Sequence, residues 1–279
     1  QNGYGSSSLP WIARGLRTRE HDSALMAPAP PPPGAPTGLP KSKVPSQADL
    51  EQVVQALLGS SSVESTLAAC TTLEAATLRS AACHARVLEL GAAKGLVAAM
   101  RAHPRDADVQ AMALRALQHL AASTASNGPG RIAQAGACSA AVAAMEAHAD
   151  HILVQQVGCQ MLELVAFGGP EPRARAIKEG GVDVATKVLK AHKSVNTVQT
   201  AALAALQSMA EEGSECSRKF VELGGVAAFV ASLSEHKEDP QVQYWGGLLM
   251  RILSASDPEL RAEVQRKLHW QGVEIDLEP

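Results

Sequence analysis

Residues 198–236 read VQTAALAALQSMAEEGSECSRKFVELGGVAAFVASLSEH, and this stretch has near-copies along the chain. Its opening pair Val198-Gln199 recurs as Val109-Gln110, Val154-Gln155 and Val242-Gln243, at successive spacings of 45, 44 and 44 residues. Its Gly224 recurs as Gly91, Gly136 and Gly180, each heading an apolar run (GAAKGLVAAM, GACSAAVAAM, GGVDVATKVL, GGVAAFVASL). Its last residue, His236, recurs as His103, His148 and His192, always twelve residues after the glycine. Three markers on one beat mean that a single supersecondary unit is copied and stacked, because such a unit covers its apolar face only with a neighbour.

Three helical segments are expected in each unit. Val109 to Met112 opens a short helix after the turn PRDAD, and Ala113 to Ala121 forms a second. Beyond the polar loop STASNGPG a third runs from about Ile132 to Met145, with Gly136 near its first turn. The next copies follow as VQQVGCQMLELVA, FGGPEPR and AIKEGGVDVATKVLK, then VQTAALAALQSMA, EEGSE and KFVELGGVAAFVASL. A period near 44 excludes tetratricopeptide and ankyrin repeats, which run at about 34 and 33 residues, and leaves a two-helix HEAT repeat as an alternative.

The composition suits such a stack. With 46% hydrophobic and only 3% aromatic residues, the chain favours helix and a core of small side chains. The longest apolar stretch, Ala133 to Met145, is broken by Gln134, Gly136 and Ser139 and is too short to span a bilayer, so a soluble protein is expected. A net charge of −3 gives no general attraction for nucleic acid, and the scarcity of aromatics leaves little to stack on bases. The five cysteines (Cys70, Cys83, Cys138, Cys159, Cys216) form no C-x-x-C pair, which fits core filling in a reducing compartment, cytoplasmic or organellar. Cys70 and Cys159 share one place in the repeat, within CTTLEAA and CQMLELVA. No H-E-x-x-H, G-x-S-x-G or G-x-x-x-x-G-K-[ST] stands in the chain, and the adjacent Cys83-His84 carries no chemistry alone, so no catalytic residue, cofactor site or metal site is assigned.

Residues 1–46 differ from the rest. Met26 to Pro45 (MAPAPPPPGAPTGLPKSKVP) is too rich in proline to pack and is expected to be an extended, polyproline-like arm. Ahead of it, Trp11, Ile12 and Leu16 alternate with Arg14, Arg17 and Arg19, the anchors of a segment that docks on another protein. The first nineteen residues hold no acid, which reads either as a sequence boundary or as the remnant of a processed organelle-targeting region. From residue 47 to 279 the pattern is helical: a cap helix over 47–59 with Ser46 as N-cap, repeats over about 60–108, 109–153, 154–197 and 198–241, and a partial repeat over 242–279. In the cap, Leu50, Val53, Val54, Leu57 and Leu58 make the apolar face. Ser65 replaces the repeat's valine in the first unit, the degeneracy usual at the end of an array.

The motif V-Q-x5-A-L-x2-L-A, a basic residue, an apolar pair and then G-G-V stands as Val198, Gln199, Ala205, Leu206, Met209, Ala210, Lys219, Phe220, Val221, Gly224, Gly225 and Val226. From about Ser46 to Leu260 the chain resembles an armadillo-repeat protein. The resemblance implies an all-α, right-handed α-solenoid, here with an extended N-terminal arm, whose third helices line a concave groove that binds other proteins. Armadillo proteins that carry nuclear-import peptides line the groove with Trp and Asn arrays. Here the Trp positions are Arg115, Gln160, Ala204 and Leu248, and the Asn positions are His119, Leu164, Ser208 and Ile252, which speaks against that role.

The groove face is therefore sought on the glycine-headed segments, at Lys94, Ala98 and Arg101; Ser139, Ala143 and Glu146; Asp183, Lys187 and Lys190; and Ala227, Ala231 and Ser234. Lys94, Arg101, Glu146, Lys187 and Lys190 are its candidate partner-binding charges. The repeated histidines are expected to cap the last carbonyls of their own helices. Adjacent rungs lie ~8–10 Å apart and ligands of one zinc only about 2 Å from the metal, so a shared metal is not expected. Arg86, Arg131, Arg175 and Lys219 form a basic ladder, expected to pair locally, as Arg86 with Glu89 and Lys219 with Glu222. The Gly-Gly and Gly-Ala steps are expected to serve a tight connection and close helix approach. The functional expectation is a non-enzymatic interaction scaffold, an accessory or structural subunit of a hetero-oligomeric assembly, with a free adaptor that binds peptide segments as the alternative.

Overall fold

The computed structural model describes residues 46–256 other than 60–61, 80, 123–126 and 212–213, together with 262, 265 and 266. Among the described residues there are fourteen α-helices and no strand. Helices α1 (Gln47–Leu58) and α2 (Val63–Arg79) lead four triplets. These are α3 (Ala81–Glu89), α4 (Ala92–Ala102) and α5 (Ala107–Ala121); α6 (Gly128–Gln134), α7 (Ala137–Ala147) and α8 (Ile152–Phe167). They continue with α9 (Pro170–Lys178), α10 (Gly181–Ala191) and α11 (Asn196–Ala210), then α12 (Ser214–Glu222), α13 (Gly225–Glu235) and α14 (Pro240–Ser256).

Each period thus has three helices, but their boundaries differ from those expected. Val109 to Ala121 lies within one continuous helix, α5, because no glycine or proline interrupts its hydrogen-bond ladder. The segment from Ile132 to Met145 is instead two helices, parted at Gly136. Gly91, Gly136, Gly180 and Gly224 have φ of 87, 83, 97 and 67°, a left-handed corner where a Cβ would strain the backbone. The following glycine serves close approach: a Cβ at Gly225 would lie 2.3 Å from the Phe220 ring. The loop FGGPEPR shortens because Pro170 starts α9, in the first turn where its missing N–H costs no bond.

At the N-terminal end, Ser46 caps α1 with a reciprocal bond to Asp49. Leu50, Val54 and Leu57 are buried, whereas Leu58, expected on the same face, is 44% exposed beside the terminal Gly59. A single apolar core runs through the helices, largely alanine, valine and leucine, with Phe220 and Phe229 its bulkiest members. All five cysteines are buried and free within the stack. Burial, aided by nearby acids, pushes the Cys70, Cys138 and Cys216 thiols up to about 12, and Cys159 higher still.

The two remaining sequence markers bind the rungs together. Gln155 Nε2 donates to the carbonyls of Met145 (2.8 Å) and His148 (2.9 Å), tying the end of α7 to the next helix across the turn. Gln110, Gln199 and Gln243 repeat this clamp on α4, α10 and α13. The histidines are the C-cap residues of their helices through their backbone N–H groups, but three of their rings do not turn back to the last carbonyls as expected. His148, His192 and His236 reach instead to the carbonyls of Pro104, Ala149 and Lys193 one rung back, at 2.9, 2.7 and 2.7 Å. A carbonyl only accepts, so Nε2 is the protonated nitrogen in each. The basic ladder pairs both locally, as Arg175 does with Glu179 at 3.7 Å, and across rungs. Arg86 pairs with Glu89 as expected but also with Glu51, Arg131 donates to the Leu88 carbonyl, and Lys219 pairs with Asp183 rather than Glu222.

Candidate functional site

The long helices α2, α5, α8, α11 and α14 pack each against the next more closely than α1, α4, α7, α10 and α13 do. Copies crowd on the inside of a curved stack, so the long helices line its inner face. The glycine-headed helices, on which the groove was expected, form the other, looser layer.

Along the inner face the half-buried side chains recur at helical spacing. Arg115 and His119 occupy it on α5, Gln160 and Leu164 on α8, and Leu248 and Ile252 on α14. On α11 the corresponding Ala204 and Ser208 are buried, at 2% and 3% exposure. The face changes character along its length. Its first step is ionic, its middle is amide and small, and its far end on α14 is apolar and aromatic, with Tyr244 edge-on to Trp245 at 5.2 Å; Phe167, the last residue of α8, is 53% exposed.

The ionic step centres on Glu74 of α2, 8% exposed. Arg115 of α5 donates to Glu74 Oε1 through Nε (3.2 Å) and Nη2 (2.7 Å), and His119 Nε2 lies 3.5 Å from the same oxygen. Burial pushes the Glu74 carboxyl up, but the hydrogen bond from His119 and the charge and hydrogen bond of Arg115 outweigh it and hold the group below the ordinary carboxylate range.

A second glutamate, Glu163 on α8, is 7% exposed. Burial alone shifts it, and pushes its carboxyl up to about 7. Sequence reasoning missed both residues. The signal was present in the aligned segments CTTLEAA and CQMLELVA, where each glutamate stands four residues after the shared cysteine.

The candidate charges Lys94, Arg101, Glu146, Lys187 and Lys190 are exposed on α4, α7 and α10. The structure brings two of them together: Lys187 Nζ lies 2.6 Å from Glu146 Oε1, joining adjacent rungs. Lys190 donates to the Leu223 carbonyl, and the Arg101 guanidinium lies beside Gly136. Trp11, Ile12, Arg14, Leu16, Arg17 and Arg19 lie outside the described residues, as does the proline-rich arm. Among the described residues no three His, Cys, Asp or Glu side chains could hold a metal ion, and no helix is long and apolar enough to cross a membrane.

With this geometry in view, comparison with solved structures gives the fold class. A designed armadillo repeat protein superposes with a TM-score of 0.68 at 20% identity, over 80% of this chain and 90% of that one. A second designed armadillo repeat protein, solved in complex with a (KR)4 peptide, gives 0.66 at 20% identity, over 80% and 88% of the two chains. An engineered protein gives 0.64 at 24% identity, over 80% and 96%. No protein-family model and no curated protein matches the sequence. The chain has an armadillo-like, all-α solenoid fold.

Proposed function

We propose that this chain is a non-enzymatic interaction scaffold that receives an extended segment of another protein along its inner face. It serves as an accessory or structural subunit of a larger assembly. The observation that carries this reading is the inner face itself: α5 and α8 present half-buried Arg115, His119 and Gln160, α14 presents half-buried Leu248 and Ile252, and Phe167 stands exposed at the end of α8. Interfaces are built of such aromatic anchors beside polar groups that set register. The (KR)4 complex of the designed armadillo repeat protein supports the choice of an extended segment as ligand. Repeats over about 60–108, 109–153, 154–197 and 198–241 with a partial repeat over 242–279 are the proposed units, and residues 1–46 the proposed docking arm.

A photo-crosslinker placed at Gln160 or Phe167, and separately at Lys94 on the other layer, tests the reading in a native extract. Adducts to one defined partner from the first two positions are expected. Adducts from Lys94 alone would move the binding surface to the outer layer. Removing residues 1–46 is expected to leave the solenoid folded and to release it from its assembly, read by gel filtration. A truncated chain that stays in the assembly as firmly as the full chain overturns the role of the arm.

A further inference from the structure

Glu74 and Glu163 hold the same place in the repeat, one on α2 and one on α8, and both are more than nine-tenths buried. Glu74 is answered from the next long helix by Arg115, 41 residues on, and by His119. The residues at the same two spacings from Glu163 are Ala204 and Ser208 on α11. Ala204 has no polar side-chain atom, and the Ser208 hydroxyl turns to Gln207. The array repeats the carboxyl without its clasp, and does so between α8 and α11, the most closely packed pair of long helices.

No element packed on α8 supplies a substitute. Helix α11 contains no ionisable residue. On α5, Arg115 and His119 are held by Glu74, and Asp108 stands in the first turn, at the other end of the helix. Arg131 of α6 donates to the Leu88 carbonyl, and Glu146 of α7 pairs with Lys187 of α10. On α10, Asp183 pairs with Lys219 and Lys190 donates to the Leu223 carbonyl. On α9, Arg173 is bonded to the Ser208 carbonyl and Glu211, Arg175 to Glu179, and Glu171 and Lys178 stand at the two ends. Within α8, His151 serves the N-cap and the Cys159 thiol is kept protonated by burial and by Glu163 itself. Among the described residues, no hydrogen bond or ion pair reaches the Glu163 carboxyl, and burial alone pushes it up, to about 7. Charging such a group in place costs free energy that contact with water recovers.

We infer that the step between α8 and α11 is a proton-sensitive joint of the array: while the Glu163 carboxyl holds its proton the two helices stay closed on each other, and once the proton is lost this step opens ahead of the others. The step between α2 and α5 lacks this sensitivity, because Arg115 stays charged and holds Glu74 as a carboxylate. The joint divides the stack into a block ending at α8 and a block that holds α11 to α14. It is a property of the free chain and does not depend on what the inner face binds.

The test is hydrogen exchange of the full chain at about pH 6 and about pH 8, read by mass spectrometry and corrected for the intrinsic effect of pH on exchange. Opening of α8 and α11 is expected to rise roughly tenfold between the two conditions relative to α2 and α4, because the ionised carboxyl favours the state in which it meets water. Glu163→Gln, which keeps the shape and has no acidic proton, is expected to remove the rise. Alkylation of the wild-type chain gives a second reading without any variant. Cys159, one turn before Glu163, should gain on Cys138 as pH rises, since both thiols are buried and only the first lies at the joint. A rise shared equally by α2 and α4, no rise in any helix, a rise that survives in Glu163→Gln, or a constant ratio of Cys159 to Cys138 alkylation overturns the inference.

Discussion

Gln155 shows how much rests on one amide. Its Nε2 serves two carbonyls at once, so Gln155→Leu leaves both unanswered and is expected to cost about 1–3 kcal/mol. Gln155→Glu keeps the shape but turns an acceptor and a charge toward those carbonyls, and should cost more than the leucine change. Chemical denaturation of the two variants checks the order; equal losses would mean the clamp is mere space filling. Glu163 supplies the opposite case. Its carboxyl rises from 4.5 to about 7 on folding, so the folded chain holds a proton that the unfolded chain has lost. Stability is therefore full below pH 4.5, falls as pH rises toward 7 and is flat above, a total of roughly 3 kcal/mol. Glu163→Gln is expected to abolish that fall and to be the more stable protein at pH 8, read from thermal melts across pH. Both residues differ in legibility. The glutamine was visible as a marker because it repeats, though its partners were not, since sequence period does not say which carbonyl an amide meets. The place of Glu163 in the repeat was legible from CTTLEAA and CQMLELVA, but its isolation was not, because that is the absence of an arginine on another helix.

At the level of helices, the glycine corners were readable and the helix ends were not. A left-handed corner demands glycine, so Gly91, Gly136, Gly180 and Gly224 announce themselves. The apolar run across Gly136 hid the break between α6 and α7, because both sides feed one core and the pattern continues through it. Which layer is the more crowded was not legible for a related reason: both layers are amphipathic, and only packing tells them apart. Since the clamp, the histidine bond and the ion pairs link nearest rungs at like positions, one whole period is removable. Deleting residues 154–197 joins Leu153 to Val198 in register and is expected to give a shorter, fully helical protein. Its denaturation midpoint should fall modestly. Loss of the cooperative transition, or of helical circular dichroism beyond the deleted share, would contradict nearest-neighbour stabilisation.

For the whole molecule, stability is expected to vary along the stack, because inner rungs are held from both sides and end rungs from one. The cysteines offer a way to see this without adding anything to the protein. They sit in α2, α3, α7, α8 and α12, sealed from solvent, so a thiol reagent waits for the local structure to open before it reacts. Each thiol is in effect a clock attached to its own segment. Mass spectrometry of timed alkylation is expected to show Cys138 and Cys159 reacting last, with Cys70, Cys83 and Cys216 ahead of them. Five equal rates would mean that the array opens all at once. A ligand seated on the middle rungs should slow the hands of the central clocks while leaving those at the ends nearly unchanged, so a partner's footprint could be read as lost time.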